Sequence, residues 1–293
     1  MKRNEIFMRD PFLYVENGIG YLVGTTCKNG WSGPATGFLG YITTDLENFE
    51  GPFTLFENTD DFWAEENFWA PELHKYKDKY YLVASFYKKG KCRASQMLVC
   101  DKPMGKYIPL EKPFTPEEWE CLDATLFEEN GKLYTIFCHE FVQTHDGEMC
   151  LAELNDDLTS LKDKPIVLFK ASSAPWVVSH NFTDPNFTTK DFVTDGPFIH
   201  RLKSGKLLML WSSDCKDGYA MGMAISCNGI NGPWQHIKEP LFSKDGGHGM
   251  YFEFKGKKYV SLHHPNMPFL SERPYFLEVE EMDDRLIIKQ QLN

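Results

Sequence analysis

No stretch of this chain approaches the roughly 18 consecutive apolar residues of a membrane span. The opening Met1-Lys2-Arg3-Asn4-Glu5 carries charge without the apolar run of a secretory leader. A cytoplasmic protein with no membrane partner is expected. Cysteines in C-x-x-C spacing are missing: the eight stand at 27, 92, 100, 121, 138, 150, 215 and 227, several inside apolar strand patterns such as Ile136-Phe137-Cys138-His139. Reduced, buried thiols follow, because zinc needs closer ligand spacing. An excess of positive charge is missing too. The formal net charge of −11 counts against nucleic acid and anionic membranes and leaves a neutral ligand such as a sugar open. Amphipathic helix patterns, linkers and low-complexity tracts do not appear. What is plentiful is hydrophobic and aromatic content, 42% and 15% of 293 residues, enough for a large core and too much for disorder. With nothing to divide the chain, residues 1–293 read as one domain.

The informative feature is a fivefold echo. Asp10-Pro-Phe-Leu-Tyr, Ala70-Pro-Glu-Leu-His, Asp123-Ala-Thr-Leu-Phe, Asp195-Gly-Pro-Phe-Ile and His248-Gly-Met-Tyr-Phe each precede a turn and a second strand-like run. The offset is 11 residues from Asp10 to Tyr21, Ala70 to Tyr81, Asp123 to Tyr134 and His248 to Tyr259, and one more from Asp195 to Leu207. Each unit is a hairpin, and a fixed register of this kind marks a repeat architecture. A third alternating segment follows each hairpin, and turns such as Glu50-Gly-Pro-Phe53 and Asn231-Gly-Pro-Trp234 lead into a short fourth. Five units of four strands predict an all-β, five-bladed β-propeller with four-stranded antiparallel blades. The largest excess of chain, about 171–192, falls between the third and fourth units.

In a propeller the first strand of each blade lines the axis, so Asp10, Asp123, Asp195 and His248 should face one another at one mouth. Glu72, two places beyond Ala70, shares that face by the alternation of a strand. Gathering carboxylates is costly, because each loses hydration and raises its neighbours' pKa. Folding gives no reason to bear that cost, whereas glycoside hydrolysis does. An inverting hydrolase needs a carboxylate base for water and a protonated carboxyl for the leaving oxygen, about 6.5–9.5 Å apart. A third carboxylate beside the acid keeps it protonated.

Arg9-Asp10-Pro11-Phe12, Asn67-Phe-Trp-Ala-Pro-Glu72, Leu122-Asp-Ala-Thr-Leu126, Val193-Thr-Asp-Gly-Pro-Phe198 and Gly246-Gly-His-Gly-Met250 resemble glycoside hydrolase family 43, from about residue 7 to 290. The resemblance implies a general base at Asp10, an acid-tuning aspartate at Asp123 and the general acid at the position of Asp195. It also implies that His248 holds a calcium or similar ion in the channel, with no cofactor for the chemistry. One departure stands out: the family acid is usually glutamate, one methylene longer than Asp195. Glu140, in Cys138-His-Glu-Phe141, and Glu72 are the other carboxyls that could donate the proton. The family acts on α-L-arabinofuranosyl and β-D-xylosyl groups, so an exo-acting, inverting glycosidase on plant-derived oligosaccharides is expected. The rivals are a non-catalytic or impaired propeller that binds carbohydrate or protein, and a retaining fructoside hydrolase.

Trp31, Trp63, Trp69 and Trp176 lie in loop-like or strand-entry contexts, and Trp69 is the leading candidate to stack on a sugar. Trp211 and Trp234 read as core. His264, in Leu262-His-His-Pro265, is a candidate substrate contact. Asp184-Pro-Asn186 resembles a fructan-hydrolase motif but falls outside the repeat register.

Overall fold

The computed structural model describes residues 1–31, 33–183 and 188–292. Four of the five inner hairpins close through two-residue turns, Asn17-Gly18, Lys77-Asp78, Asn130-Gly131 and Lys255-Gly256, in which both residues take positive φ. Such turns match the right-handed twist of the strands they join. The fourth hairpin closes through residues 202–206, which accounts for its extra length.

Blade one contains β1 (Arg9–Glu16), β2 (Ile19–Thr25), β3 (Gly37–Thr43) and β4 (Phe49–Glu57). Blade two contains β5 (Glu66–Tyr76), β6 (Lys79–Tyr87), β7 (Ala94–Cys100) and β8 (Ile108–Pro109). Blade three contains β9 (Cys121–Glu129), β10 (Lys132–His139), β11 (Glu148–Glu153) and β12 (Ile166–Lys170), with a one-turn helix α1 (Phe141–Thr144) after β10. Blade four contains β13 (Asp195–Arg201), β14 (Leu207–Cys215), β15 (Gly218–Ser226) and β16 (Trp234–His236). Blade five contains β17 (Tyr251–Phe254), β18 (Lys257–His264), β19 (Arg273–Glu281) and β20 (Leu286–Leu292). Each sheet is antiparallel and built from consecutive strands, so no blade borrows a strand from the other end of the chain. The five-bladed propeller expected from the register is the fold.

Blades are held face to face by apolar side chains. Between blades one and two Phe38, Phe56, Phe68 and Phe86 interlock with ring centroids 4.9–6.5 Å apart, each burying on the order of 1.5–3 kcal/mol of apolar surface. Trp211 is fully buried and Trp234 nearly so. All eight cysteines are free, and five are buried.

The entry to each inner strand is strained in the same way. Asp10, Ala70, Asp123, Gly196 and His248 have φ of +54°, +45°, +54°, +46° and +48°, a region that non-glycine residues seldom enter. Each strained amide is fastened to the preceding blade. Ala70 N–H donates to Thr25 Oγ1 (2.7 Å), Asp123 N–H to Ser85 Oγ (2.9 Å), His248 N–H to Ser212 Oγ (2.8 Å) and Asp10 N–H to His263 Nδ1 (3.2 Å). These acceptors share one register, opposite Trp69, Arg9, Asp195 or Gly247, the residue just before the strained one in their own blade. Blade three has Cys138 at that register, and there the amide of Gly196 donates to Asp123 Oδ2 instead (3.2 Å).

This corrects the repeat alignment in the fourth blade. The position equivalent to Asp10 and Asp123 is Gly196, and Asp195 sits one residue earlier. The reason is steric: a Cβ at Gly196 would lie 2.5 Å from the His248 ring, so the carboxylate has to come from the neighbouring residue. The lock residues are testable. Thr25→Val removes both the acceptor for Ala70 and a hydroxyl donated to Asp10 Oδ2 (2.6 Å), and should cost about 1–3 kcal/mol in urea denaturation.

Candidate active site

At the mouth where the inner strands begin, three carboxylates surround one imidazole. His248 Nδ1 lies 3.2 Å from Asp10 Oδ1, 3.4 Å from Asp195 Oδ1 and 3.6 Å from Asp123 Oδ2. The Asp10 and Asp123 side chains are 9% and 5% exposed, whereas that of Asp195 is 24% exposed. The Asp10 carboxylate is further held by the Thr25 hydroxyl, and its backbone by the amide hydrogen bond that His263 Nδ1 accepts. His263 is fixed in turn by Asn266 Oδ1 at 3.1 Å from its Nε2. Arg9 closes this side, paired with buried Glu272 (2.7 Å) and donating to Asn266 Oδ1 (2.9 Å). Tyr219, at the start of β15, donates its hydroxyl to Asp195 Oδ2.

The charges follow from the surroundings. Burial opposes charge on Asp10, but His248, His263 and Arg9 outweigh it and hold the carboxyl well below the usual range. Asp10 is therefore ionised and able to accept a proton. Burial likewise opposes charge on His248, and the three aspartates overcome it, carrying its pKa up to about 10. Asp123 is driven the other way, first by burial and then by the charge of Asp195. Burial also presses on Asp195, yet hydrogen bonds from Asp123, His248 and Tyr219 keep it ionised. Asp123 and Asp195 are thus driven in opposite directions, Asp123 toward the neutral form and Asp195 toward the charged one, beside the His248 imidazolium.

A second carboxyl group stands at the end of β10. Glu140 caps α1 and pairs with Arg93 Nη1. The Arg93 guanidinium lies over Trp69 (4.5 Å) and Tyr87 (5.5 Å). Burial, reinforced by Glu120 and Asp195 and opposed by Arg93, pushes Glu140 up to about 7.

The Glycosyl hydrolases family 43 model matches residues 4–280. The chain belongs to this family. Family 43 hydrolyses O-glycosyl bonds with inversion. Among solved structures, an endo-arabinase from Bacteroides thetaiotaomicron is 37% identical with a TM-score of 0.87, covering 97% of this chain and 98% of its own. A xylosidase/arabinosidase from Thermoclostridium stercorarium is 22% identical over 95% of this chain, and an alpha-L-arabinofuranosidase B from Pyricularia oryzae 24% over 59%. The chain spans only 63% and 36% of the lengths of those two relatives.

The structure brings together Asp10, Asp123, Asp195 and His248 of the residues that the family 43 resemblance singled out. Glu72 is buried but turned to His74 (2.8 Å), apart from the aspartates' ion pairs. Trp69 is at the mouth, its indole N–H donating to Gly30 O (2.6 Å), with Trp31 against it at 5.6 Å. Trp31 is 56% exposed and also meets Phe269 (6.1 Å) and Arg9 (4.9 Å), forming an aromatic wall. Trp63 bonds to Gln96 on β7, and Trp176 packs on Trp211 in the core. His264 meets Asp245 O (3.2 Å), Phe242 and Tyr275; its neighbour His263 is the one that reaches Asp10. Asp184-Pro-Asn186 lies outside the described residues. Thr25, Arg93, Tyr219 and His263 are members of the site that the sequence reading did not single out.

Proposed function

We propose that this protein is an inverting exo-glycosidase releasing terminal α-L-arabinofuranosyl or β-D-xylosyl units from plant-derived oligosaccharides. The observation that carries it is the convergence of Asp10, Asp123 and Asp195 on His248 in a family 43 chain. Asp10, ionised and buried, takes the proton of the attacking water. Asp123 and Asp195 set the charge of the pocket, and Asp195, partly exposed, accepts a sugar hydroxyl. Trp31 and Trp69 offer apolar faces to the ring. The 37% identity to an endo-arabinase favours a second reading, internal cleavage of an arabinan chain. Product profiles separate the two: monosaccharide alone from the first minutes supports exo action, and a ladder of oligomers overturns it. Proton NMR of the first product should show the inverted anomer; the retained anomer removes Asp10 as base.

Asp123, Asp195 and His248 each present a ligand atom within 4.8 Å of the others. Two carboxylates and an imidazole suit a divalent ion, although calcium, which collects six to eight oxygens, would draw the remainder from Asp10 and solvent. Such an ion would neutralise the aspartates in place of the ring proton and supply no nucleophile. EDTA dialysis is then expected to lower the melting temperature by a few degrees, read by differential scanning fluorimetry, with turnover little changed.

A further inference from the structure

Asp195 is poorly placed to protonate a leaving group. Its Oδ2 receives the Tyr219 hydroxyl and its Oδ1 faces His248 Nδ1, so both oxygens are turned to donors. A carboxyl whose two oxygens both face donors is set to accept a hydrogen bond from substrate, and is badly set to carry a proton to a leaving oxygen.

Glu140 has the opposite setting. It leaves β10 at the end where Asp123 enters β9, since His139 pairs with Cys121. Its backbone is pinned at both sides: the amide donates to Glu120 O (2.8 Å), and the carbonyl accepts from the Gln143 and Thr144 amides and the Thr144 hydroxyl. The side chain is 7% exposed. Oε2 takes Arg93 Nη1, and among the described residues Oε1 has no hydrogen-bond partner. Arg93 is itself fixed, with its guanidinium between the faces of Trp69 and Tyr87, Nη2 donating to Asn67 Oδ1 (3.4 Å) and its amide donating to Glu120 Oε2 (2.8 Å). A sugar stacked on Trp69 is thereby tied, through one rigid guanidinium, to a carboxyl with a free oxygen.

We propose that Glu140 is the general acid of this enzyme, positioned by Arg93. The proposal rests on the hydrolase reading above. In the step, a water lone pair forms the new bond to the anomeric carbon while Asp10 takes the water's proton. The electrons of the breaking carbon–oxygen bond pass to the leaving oxygen, which takes the proton of Glu140. Asp10 ends protonated and Glu140 ionised beside Arg93, and exchange with solvent restores both. A group with a pKa near 7 is matched to proton donation at neutral pH.

The test uses E140Q, R93Q, D195N and D10N, each checked for wild-type circular dichroism, with paired aryl glycosides whose leaving groups are dinitrophenol, which needs no proton, and phenol, which does. E140Q should lose about 100-fold or more in kcat/KM on the phenyl glycoside and less than about tenfold on the dinitrophenyl one, and the alkaline limb of its pH profile should flatten. R93Q, which removes the charge that pulls Glu140 down, should move that limb to higher pH. Equal loss on both glycosides in E140Q, no loss on either, an unmoved limb in R93Q, or leaving-group dependence in D195N instead each overturns the assignment. D10N should fail on both glycosides. A wild type that turns over neither, or a fully active D10N, defeats the underlying hydrolase reading, a result distinct from an indifferent E140Q.

Discussion

Asp10→Asn should lower kcat by at least about 1,000-fold on good and poor leaving groups alike, with the melting temperature within a few degrees of wild type. The amide keeps the shape of the carboxylate, and can still receive the Thr25 hydroxyl through its carbonyl oxygen, but cannot take a proton from water. The effect is insensitive to the leaving group because attack, and not departure, is impaired. The strain at Asp10 adds to the case: a residue held at φ +54° and fastened to the preceding blade presents its side chain without searching rotamers, which is how positioning lowers a barrier. Retention of even a tenth of wild-type turnover would remove Asp10 from the base role.

His248→Gln should be the most destabilising single change at the mouth. The ring is the cation common to Asp10, Asp123 and Asp195, and removing one partner of a buried ion pair costs about 3–5 kcal/mol. The pH dependence has a definite sign. Because the folded-state pKa of about 10 lies above the ordinary histidine value of about 6.5, the ring's stabilisation is complete below the ordinary value and fades as pH rises toward 10. Asp10, whose pKa is depressed, acts in reverse: its contribution is present above about pH 4 and is lost on acidification. Melting curves from pH 5 to 10 should therefore fall on the alkaline side in wild type and fall less in H248Q. Parallel curves would show that the ring is neutral in the folded protein.

The architecture was legible because spacing is what a repeat conserves within one chain. The 11-residue offset and turns such as Asn17-Gly18 and Asn130-Gly131 locate the hairpins without reference to distant contacts. The lock register was equally available: Thr25, Ser85, Cys138 and His263 stand 15 residues after Asp10, Ala70, Asp123 and His248, a second register beside the acidic one in which only Cys138 fastens no amide among the described residues. The choice between His263 and His264 turns on strand facing, where one residue reverses the direction of a side chain, and only the pairing of β18 decides it. The fourth blade misled for a related reason. A carboxylate at 195 looks like the counterpart of Asp10, and the steric demand of the His248 ring on residue 196 is invisible without coordinates. Arg93 and Tyr219 were beyond reach: one comes from the connection between β6 and β7, the other from a third strand, and no spacing rule says where either side chain points.

Each blade is a contiguous stretch of chain, and many ring-shaped folds are fastened by a strand exchanged between their termini. Here the seam between the last blade and the first includes His263 receiving the Asp10 amide, Arg9 gripping Glu272, the Ser261 hydroxyl donating to Pro11 O and the Met8 amide donating to Glu272 O. Asp10, the proposed general base, thus owes its orientation to an imidazole some 250 residues further along the chain. Until blade five has docked, Asp10 lacks the imidazole that fastens its amide, so loosening that seam should lower turnover before the remaining blades melt.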